Sequence, residues 1–454
     1  MTQYRTENPT TGEVTQTYRE LNAQGVQAAI EAAHAGFAQW RRTDATERAA
    51  ALGRAADLYA QRSNELAQAI AREMGKPLKQ AAAEVGLAAA IYRYYAEQGP
   101  AGLVEDTLDE HTVVMKEPVG ALIGIMPWNF PYYQVARFAA LNLLLGNTIL
   151  LKHAPICAAS SLLMEQILHE AGVPHGAYQN IFASNEQIAT MIADPRVQGV
   201  SLTGSERAGA SVAATAGQNL KKAVLELGGS DPMIVLDTPD VARMAKIAAA
   251  ARMRNSGQAC NSPKRMFVMA DLYDEFVDNL AEYFRTAVVG DPLEDGTQMG
   301  PMSSASALET LEEQVKDAID KGATARAGGA RLDRAGSFMA PTVLTDVTAE
   351  MRAFTEELFG PVAVVYKVDS ADEAVEAANA SAFGLSGSVW TDDIDAGREV
   401  AQRLEVGMAF VNEHGTTKPD LPFGGVKRSG YGRELAGYGM DEFVNKKLLR
   451  TAKK

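Results

Sequence analysis

Residues 120–153 read GALIGIMPWNFPYYQVARFAALNLLLGNTILLKH, and their rhythm decides the fold. A short apolar run, GALIGIMP, gives way to helical spacing near 132–145 and then to a second apolar run, NTILLKH. Strands covered on both faces read as continuous apolar runs, and a strand, a helix and a strand at this spacing predict parallel pairing. The pattern continues with a helix near 156–171 and the runs YQNIFA, VQGVSLTG and KAVLELGG. Together these predict an α/β fold, a parallel sheet with helices on both faces.

On the N-terminal side, residues 24–98 keep apolar residues on a 3.6-residue face in three segments and predict helices. On the C-terminal side a second α/β series begins: PMIVL, a helix near 239–253, KRMFVMA, a helix near 272–288, then PVAVVYKV, SGSVWT and GMAFVN. Two α/β layers of comparable size imply two domains with a cleft between them. The alternating segment EDTLDEHTVVMKEPVG predicts a hairpin that projects to another subunit or pairs with the C-terminal NKKLLRTA.

A chain of 454 residues exceeds one compact core. The 43 basic and 57 acidic residues leave a formal charge of −14, which repels nucleic acid, so none is expected as partner. The polar start MTQYRTENPTTGEV lacks an apolar signal core, and no run of ~18 apolar residues could span a bilayer. No membrane partner is expected, and the chain reads as cytoplasmic. Its two cysteines, Cys157 and Cys260, form no disulfide framework, and no metal site is expected.

Chemistry concentrates in a few motifs. RNSGQACNSPKR (254–265) sets Cys260 shortly after Gly257 and Gln258. MPWNFP puts Asn129 in the turn between the first strand and helix, LELGGSDP puts Glu226 at a strand end before two glycines, and EELFGP carries Glu357 and Phe359. The G-x-G-x-x-G dinucleotide fingerprint is absent. SLTGSERAG comes nearest, with Ser205 opening a helix whose free amides suit a phosphate, although a serine there is also an ordinary helix cap. A lone cysteine is usually packing, which is the reading for Cys157.

These motifs, with PFGGVKRSGYGRE at 422–434, resemble the aldehyde dehydrogenase superfamily, and the match runs from NPTTGEV to the C-terminal strand. The resemblance implies a Rossmann-like cofactor domain (1–103 and 122–228), an α/β catalytic domain (229–437) and an oligomerisation arm (104–121 and 438–454) that makes a homodimer or homotetramer. It implies that Cys260 is the nucleophile, that its amide and Asn129 hold the oxyanion, and that Glu226 activates the hydrolytic water. On the cofactor side it implies Lys152 at the adenosine ribose, Ser205 at the pyrophosphate, Trp128 close to the adenosine half, Glu357 at the nicotinamide ribose and Phe359 beside that ring. Pro155 stands where NAD-preferring members often carry a glutamate. With no carboxylate there to repel a 2′-phosphate, NADP is favoured and NAD remains possible, while His153 could favour either.

Within the superfamily the chain is most like the succinate-semialdehyde enzymes. Arg137 matches an arginine that binds the distal carboxylate there, and Tyr133 shares its helix face. Arg254 matches a second such arginine, and Thr417 stands where relatives often have a serine; Asp420 close by is a departure. These residues suit a short ω-carboxy aldehyde. Glu434 lacks the lysine that many members pair with it, since that position is Phe138, and is therefore read as structural. The alternatives are another semialdehyde, plain aliphatic or aromatic aldehydes, a CoA-acylating enzyme, a cysteine hydrolase, or a catalytically silent binding protein on the same fold.

Overall fold

The computed structural model describes residues 4–452. Its first large sheet has six strands in the order Gly430–Tyr431, Lys222–Glu226, Val197–Thr203, Ala121–Met126, Thr148–His153 and Tyr178–Asn180. All are parallel except Gly430–Tyr431, which returns from late in the chain to pair antiparallel with Leu225 and Glu226. The order of strands reverses between Ala121–Met126 and Val197–Thr203, which opens a crevice beyond their carboxyl ends where α/β sheets bind ligands.

The second sheet has seven strands in the order Thr324–Ala327, Thr342–Thr345, Val362–Val368, Pro263–Met269, Asp231–Val235, Ser386–Trp390 and Met408–Val411. Only the edge strand Thr324–Ala327 is antiparallel. A third, three-stranded sheet joins Thr112–Pro118 to Asp106–Asp109 and to the C-terminal strand Val444–Arg450. The hairpin thus pairs with the chain's own C-terminal strand. This sheet leaves Leu108, Leu448 and Leu449 exposed.

The helix Pro131–Leu145 is buried along its whole length, because other elements pack on every side of it. Proline at its first turn needs no amide partner, and Gly146 closes it at φ 98°. The four helices of the N-terminal region span Ala23–Trp40, Ala45–Gln61, Ser63–Met74 and Leu78–Glu97. A hairpin of Tyr4–Asn8 and Glu13–Tyr18 precedes them, which the sequence reading did not anticipate. Its second strand is almost wholly exposed and shows no apolar alternation.

Candidate active site

The strand Ala121–Met126 ends at the reversal point, and the turn after it carries Trp128 and Asn129 into the cleft. A buried ion pair fixes this turn. Lys76 Nζ donates to the Asn129 carbonyl at 2.7 Å and pairs with Glu84, and both side chains are about 1% exposed. Glu84 in turn accepts the amides of Tyr132 and Tyr133 at 2.9 and 3.3 Å, satisfying two free donors of the helix. The Asn129 side chain is gripped at both ends. Its Oδ1 accepts from Gln134 at 3.0 Å, and its Nδ2 donates one hydrogen to the Gln258 carbonyl at 3.0 Å. Its second N–H has no acceptor among the described residues.

Cys260 sits at the end of a loop of unusual backbone. Asn255, Ser256 and Gly257 all have positive φ, at 53°, 54° and 71°. Strain of this kind persists only where surroundings enforce it. A side chain at position 257 would meet the Gly360 carbonyl at 2.2 Å. Two buried cations hold the loop. Arg252 donates to the carbonyls of Gly257, Leu358, Gly360 and Val362. Lys264 Nζ donates to the carbonyls of Ala259 and Cys260 at 2.8 and 2.7 Å. Among the described residues no acceptor takes the Cys260 amide, which leaves it free for an oxyanion.

Burial pushes the Cys260 thiol up to about 11, against the pull of Lys264 and Arg137 and with Glu357 and Asp231 adding to the rise. Cys157 is wholly buried, its thiol raised by burial and by Glu73 and Glu84.

Three cavities meet the expected cofactor and substrate residues. One, of about 290 Å³, is lined by Trp128, Asn129, Ser205, Cys260, Glu357 and Phe359. Trp128 packs edge-on to Phe359 with ring centroids 5.6 Å apart. Trp128 was expected near the adenosine half, yet it lies with Cys260, because the strand end delivers it into the cleft. Ser205 does cap the following helix, accepting from the Ala208 amide at 3.3 Å. A Cβ on Gly228 would meet Glu357 Oε2 at 2.3 Å, so the glycine leaves that carboxylate its space.

A second cavity, of about 260 Å³, lies over the strand reversal and contains Lys152, Arg207, Asn185, Ser211 and Thr215. Lys152 is pulled below the usual lysine range by burial. The lining includes no carboxylate, and Arg207 makes no ion pair among the described residues. Arg207 escaped the sequence reading although it stands within SLTGSERAG. Pro155 opens a single turn after the Lys152 strand. His153 is held by the backbone. Both of its ring nitrogens meet backbone, at Pro131 O and Ala154 N, and burial lowers it to about 4.

The third cavity is a narrow tunnel whose wall includes Tyr133, Arg254, Cys260, Asn261, Thr417 and Phe423. Asp420 is exposed to solvent. Arg137 departs from expectation. It is 1% exposed and its guanidinium pairs with Glu434 through Nε, donates to Thr203 Oγ1 at 2.9 Å and donates to the Tyr133 hydroxyl at 3.1 Å. With Phe138 in place of a lysine, Glu434 has Arg137 as its cation, and the arginine is drawn behind Tyr133 and Phe423. It reaches the tunnel through the Tyr133 hydroxyl, which also faces Thr417.

Glu226 ends its strand beside this pair. It is buried, both carboxylate oxygens lack a hydrogen-bond partner, and burial raises it well above the carboxylate range, with Arg137 pulling down and Glu434 pushing up.

The chain matches the family model "Aldehyde dehydrogenase family" over residues 1–449. It is 54% identical to the succinate-semialdehyde dehydrogenase [NADP(+)] of Deinococcus radiodurans, covering 99% of this chain and 94% of that one. It is 42% identical to succinate-semialdehyde dehydrogenase [NADP(+)] 1 of Mycobacterium ulcerans, covering 98% of each. Its structure superposes on the succinic semialdehyde dehydrogenase of Streptococcus pyogenes, solved with NADP+ as the cofactor, with a TM-score of 0.96 at 40% identity, covering 99% of this chain and 100% of that one. Full-length likeness in both sequence and structure, on top of the thiol loop and its gripped asparagine, means that the chain belongs to the aldehyde dehydrogenase family.

Proposed function

We propose that the protein oxidises succinate semialdehyde to succinate with NADP, through a covalent thioester on Cys260. One observation carries this reading: Cys260 forms part of the wall of both the Glu357 cavity and the Arg254 tunnel. A nucleophile shared by two cavities can meet a cofactor from one side and an aldehyde from the other. The names of the similar enzymes support the same substrate and cofactor.

The residues fit NADP. The cavity lined by Lys152 and Arg207, with no carboxylate in its wall, suits an adenosine carrying a 2′-phosphate, Ser205 and the helix it caps suit the pyrophosphate, and Glu357 and Phe359 suit the nicotinamide ribose and ring. When bound there, NADP accepts a hydride from the substrate carbon.

The chain's own groups do the rest. The Cys260 thiolate bonds to the aldehyde carbon, and the carbonyl oxygen becomes an oxyanion. The Cys260 amide and the remaining Asn129 N–H receive that charge, each such donor being typically worth ~3 kcal/mol. After oxidation the carbon is a thioester. Glu226, with no partner on either oxygen, takes a proton from water. The resulting hydroxide adds to the thioester, succinate leaves, and the sulfur is returned. Arg254 and Thr417 hold the distal carboxylate, while Arg137 steers the Tyr133 hydroxyl towards it. Proton release runs through Glu226 and water, since Glu434 is bound to Arg137.

Incubating Glu226→Gln with succinate semialdehyde and NADP, then mapping peptides by mass spectrometry, tests this reading. A succinyl group on Cys260 is expected to accumulate. Its absence, with full turnover retained, would overturn the role of Glu226, and full turnover by Cys260→Ala would overturn that of Cys260. We further propose that the exposed leucines of the three-stranded sheet join copies of this chain in a cytoplasmic homo-oligomer.

A further inference from the structure

Lys264 is seated between the nucleophile and the proposed cofactor carboxylate. It is 1% exposed on the strand Pro263–Met269, and its ammonium makes three contacts. Two are the carbonyls of Ala259 and Cys260, and the third is Glu357 Oε1 at 3.1 Å. The same Oε1 accepts the Gly229 amide at 3.2 Å. Gly229 itself approaches the loop so closely that a Cβ there would meet the Cys260 carbonyl at 2.6 Å. One ammonium therefore ties the loop that carries the sulfur to the carboxylate at the far wall of the cofactor cavity.

We propose that Lys264 is a positioning residue that links occupancy of the cofactor cavity to the reactivity of Cys260. A buried cation costs several kcal/mol to desolvate and stays only where partners compensate it. Two of its three partners here are uncharged carbonyls of the nucleophile loop, so the loop is shaped around the charge. Glu357 neutralises part of that charge. Ribose hydroxyls donating to Glu357 compete with Lys264 for the same oxygen, and the ammonium then acts more fully on the sulfur and holds its loop more firmly. The other charged or titratable groups that act on the thiol are Arg137, which favours the thiolate, Asp231, which opposes it, and the Tyr133 hydroxyl. Arg137 is committed to Glu434 on the opposite side. Lys264 is thus the cation with a direct route to the cofactor side. The coupling to cofactor rests on the Glu357 role proposed above; the tie between Lys264 and the loop does not.

The test is the rate of Cys260 alkylation by iodoacetamide against pH, with and without NADP, followed by peptide mapping to separate Cys260 from buried Cys157. Wild type, Lys264→Met, Lys264→Arg and Glu357→Gln are compared. Without cofactor, Lys264→Met is expected to move the alkylation profile to higher pH by about one unit, slowing the reaction about tenfold below the thiol pKa. Lys264→Arg keeps the charge and is expected to restore most of that loss. Glu357→Gln is expected to speed alkylation of the free protein and to remove any further effect of NADP. A Lys264→Met profile that overlays wild type, with the variant folded by circular dichroism, overturns the proposal. If Lys264→Met shifts the profile but NADP has the same effect on it as on wild type, the coupling is overturned while the loop tie stands. If NADP binds normally to Glu357→Gln, the cofactor role of Glu357 fails instead.

Discussion

Replacing Lys76 by methionine tests how the proposed oxyanion donor, Asn129, is held. Lys76 and Glu84 are each about 1% exposed, and Lys76 lies over the Phe130 ring at 3.8 Å while donating to the Asn129 carbonyl at 2.7 Å. Methionine fills most of the volume but leaves Glu84 charged and unpaired in the interior. Breaking a buried pair in this way costs about 3–5 kcal/mol of stability. The Asn129 carbonyl keeps only its bond from Asn255 at 2.8 Å, so the turn loosens and the side-chain N–H loses its aim. Full loss of one such donor costs a factor of about 10²–10³ in kcat, and a misplaced donor is expected to lose about 10². The double variant Lys76→Met/Glu84→Gln removes the lone charge. It is expected to recover about 1–3 kcal/mol of stability without recovering kcat, because the Asn129 carbonyl still lacks its lysine. Urea unfolding and kcat at saturating substrate measure the two effects separately. A Lys76→Met protein within about 1 kcal/mol of wild type and with unchanged kcat would refute the reasoning.

Arg254→Ala is expected to cut kcat/KM for succinate semialdehyde about tenfold while leaving butanal unaffected, the lower end of a charged hydrogen bond because Arg254 is exposed to water; steady-state kinetics with both aldehydes checks it. Arg207→Ala is expected to lower the NADP to NAD preference about tenfold, and the effect should fade at high salt because this arginine is also exposed. The Cys260 thiol, pushed up to about 11, must lose its proton to attack, and a group with a raised pKa is deprotonated only above it. Hence kcat/KM is expected to rise with pH through the range 7–9, and a flat profile there would contradict the burial argument.

The layered α/β fold was legible because fully buried parallel strands write continuous apolar runs, as ALIGIM and TILLKH do. The hairpin Tyr4–Tyr18 was not, since its outer strand faces solvent and carries no pattern. Cys260, Asn129 and Glu226 were legible as motifs, and the structure brings the first two to one cavity wall and buries the third nearby. Their supports were not. Lys76, Glu84, Arg252 and Lys264 look in sequence like ordinary charged residues on helices and strands, and only the three-dimensional packing shows them buried against backbone carbonyls or one another. Arg137 shows the limit most clearly. A helix buried on all sides gives no periodic sign of which cavity each residue meets, and a tertiary partner 297 positions away, Glu434, decides its direction.

The most direct measurement compares kcat/KM for succinate semialdehyde and butanal, each with NADP and with NAD, on the wild-type protein. Succinate semialdehyde with NADP is expected to exceed the other three combinations by an order of magnitude or more, since the proposed carboxylate grip in the tunnel is worth roughly 1.5 kcal/mol and the proposed adenosine cavity presents Lys152 and Arg207 with no carboxylate in its lining. Equal use of butanal, or a preference for NAD, would contradict the account of the tunnel or of the adenosine cavity respectively.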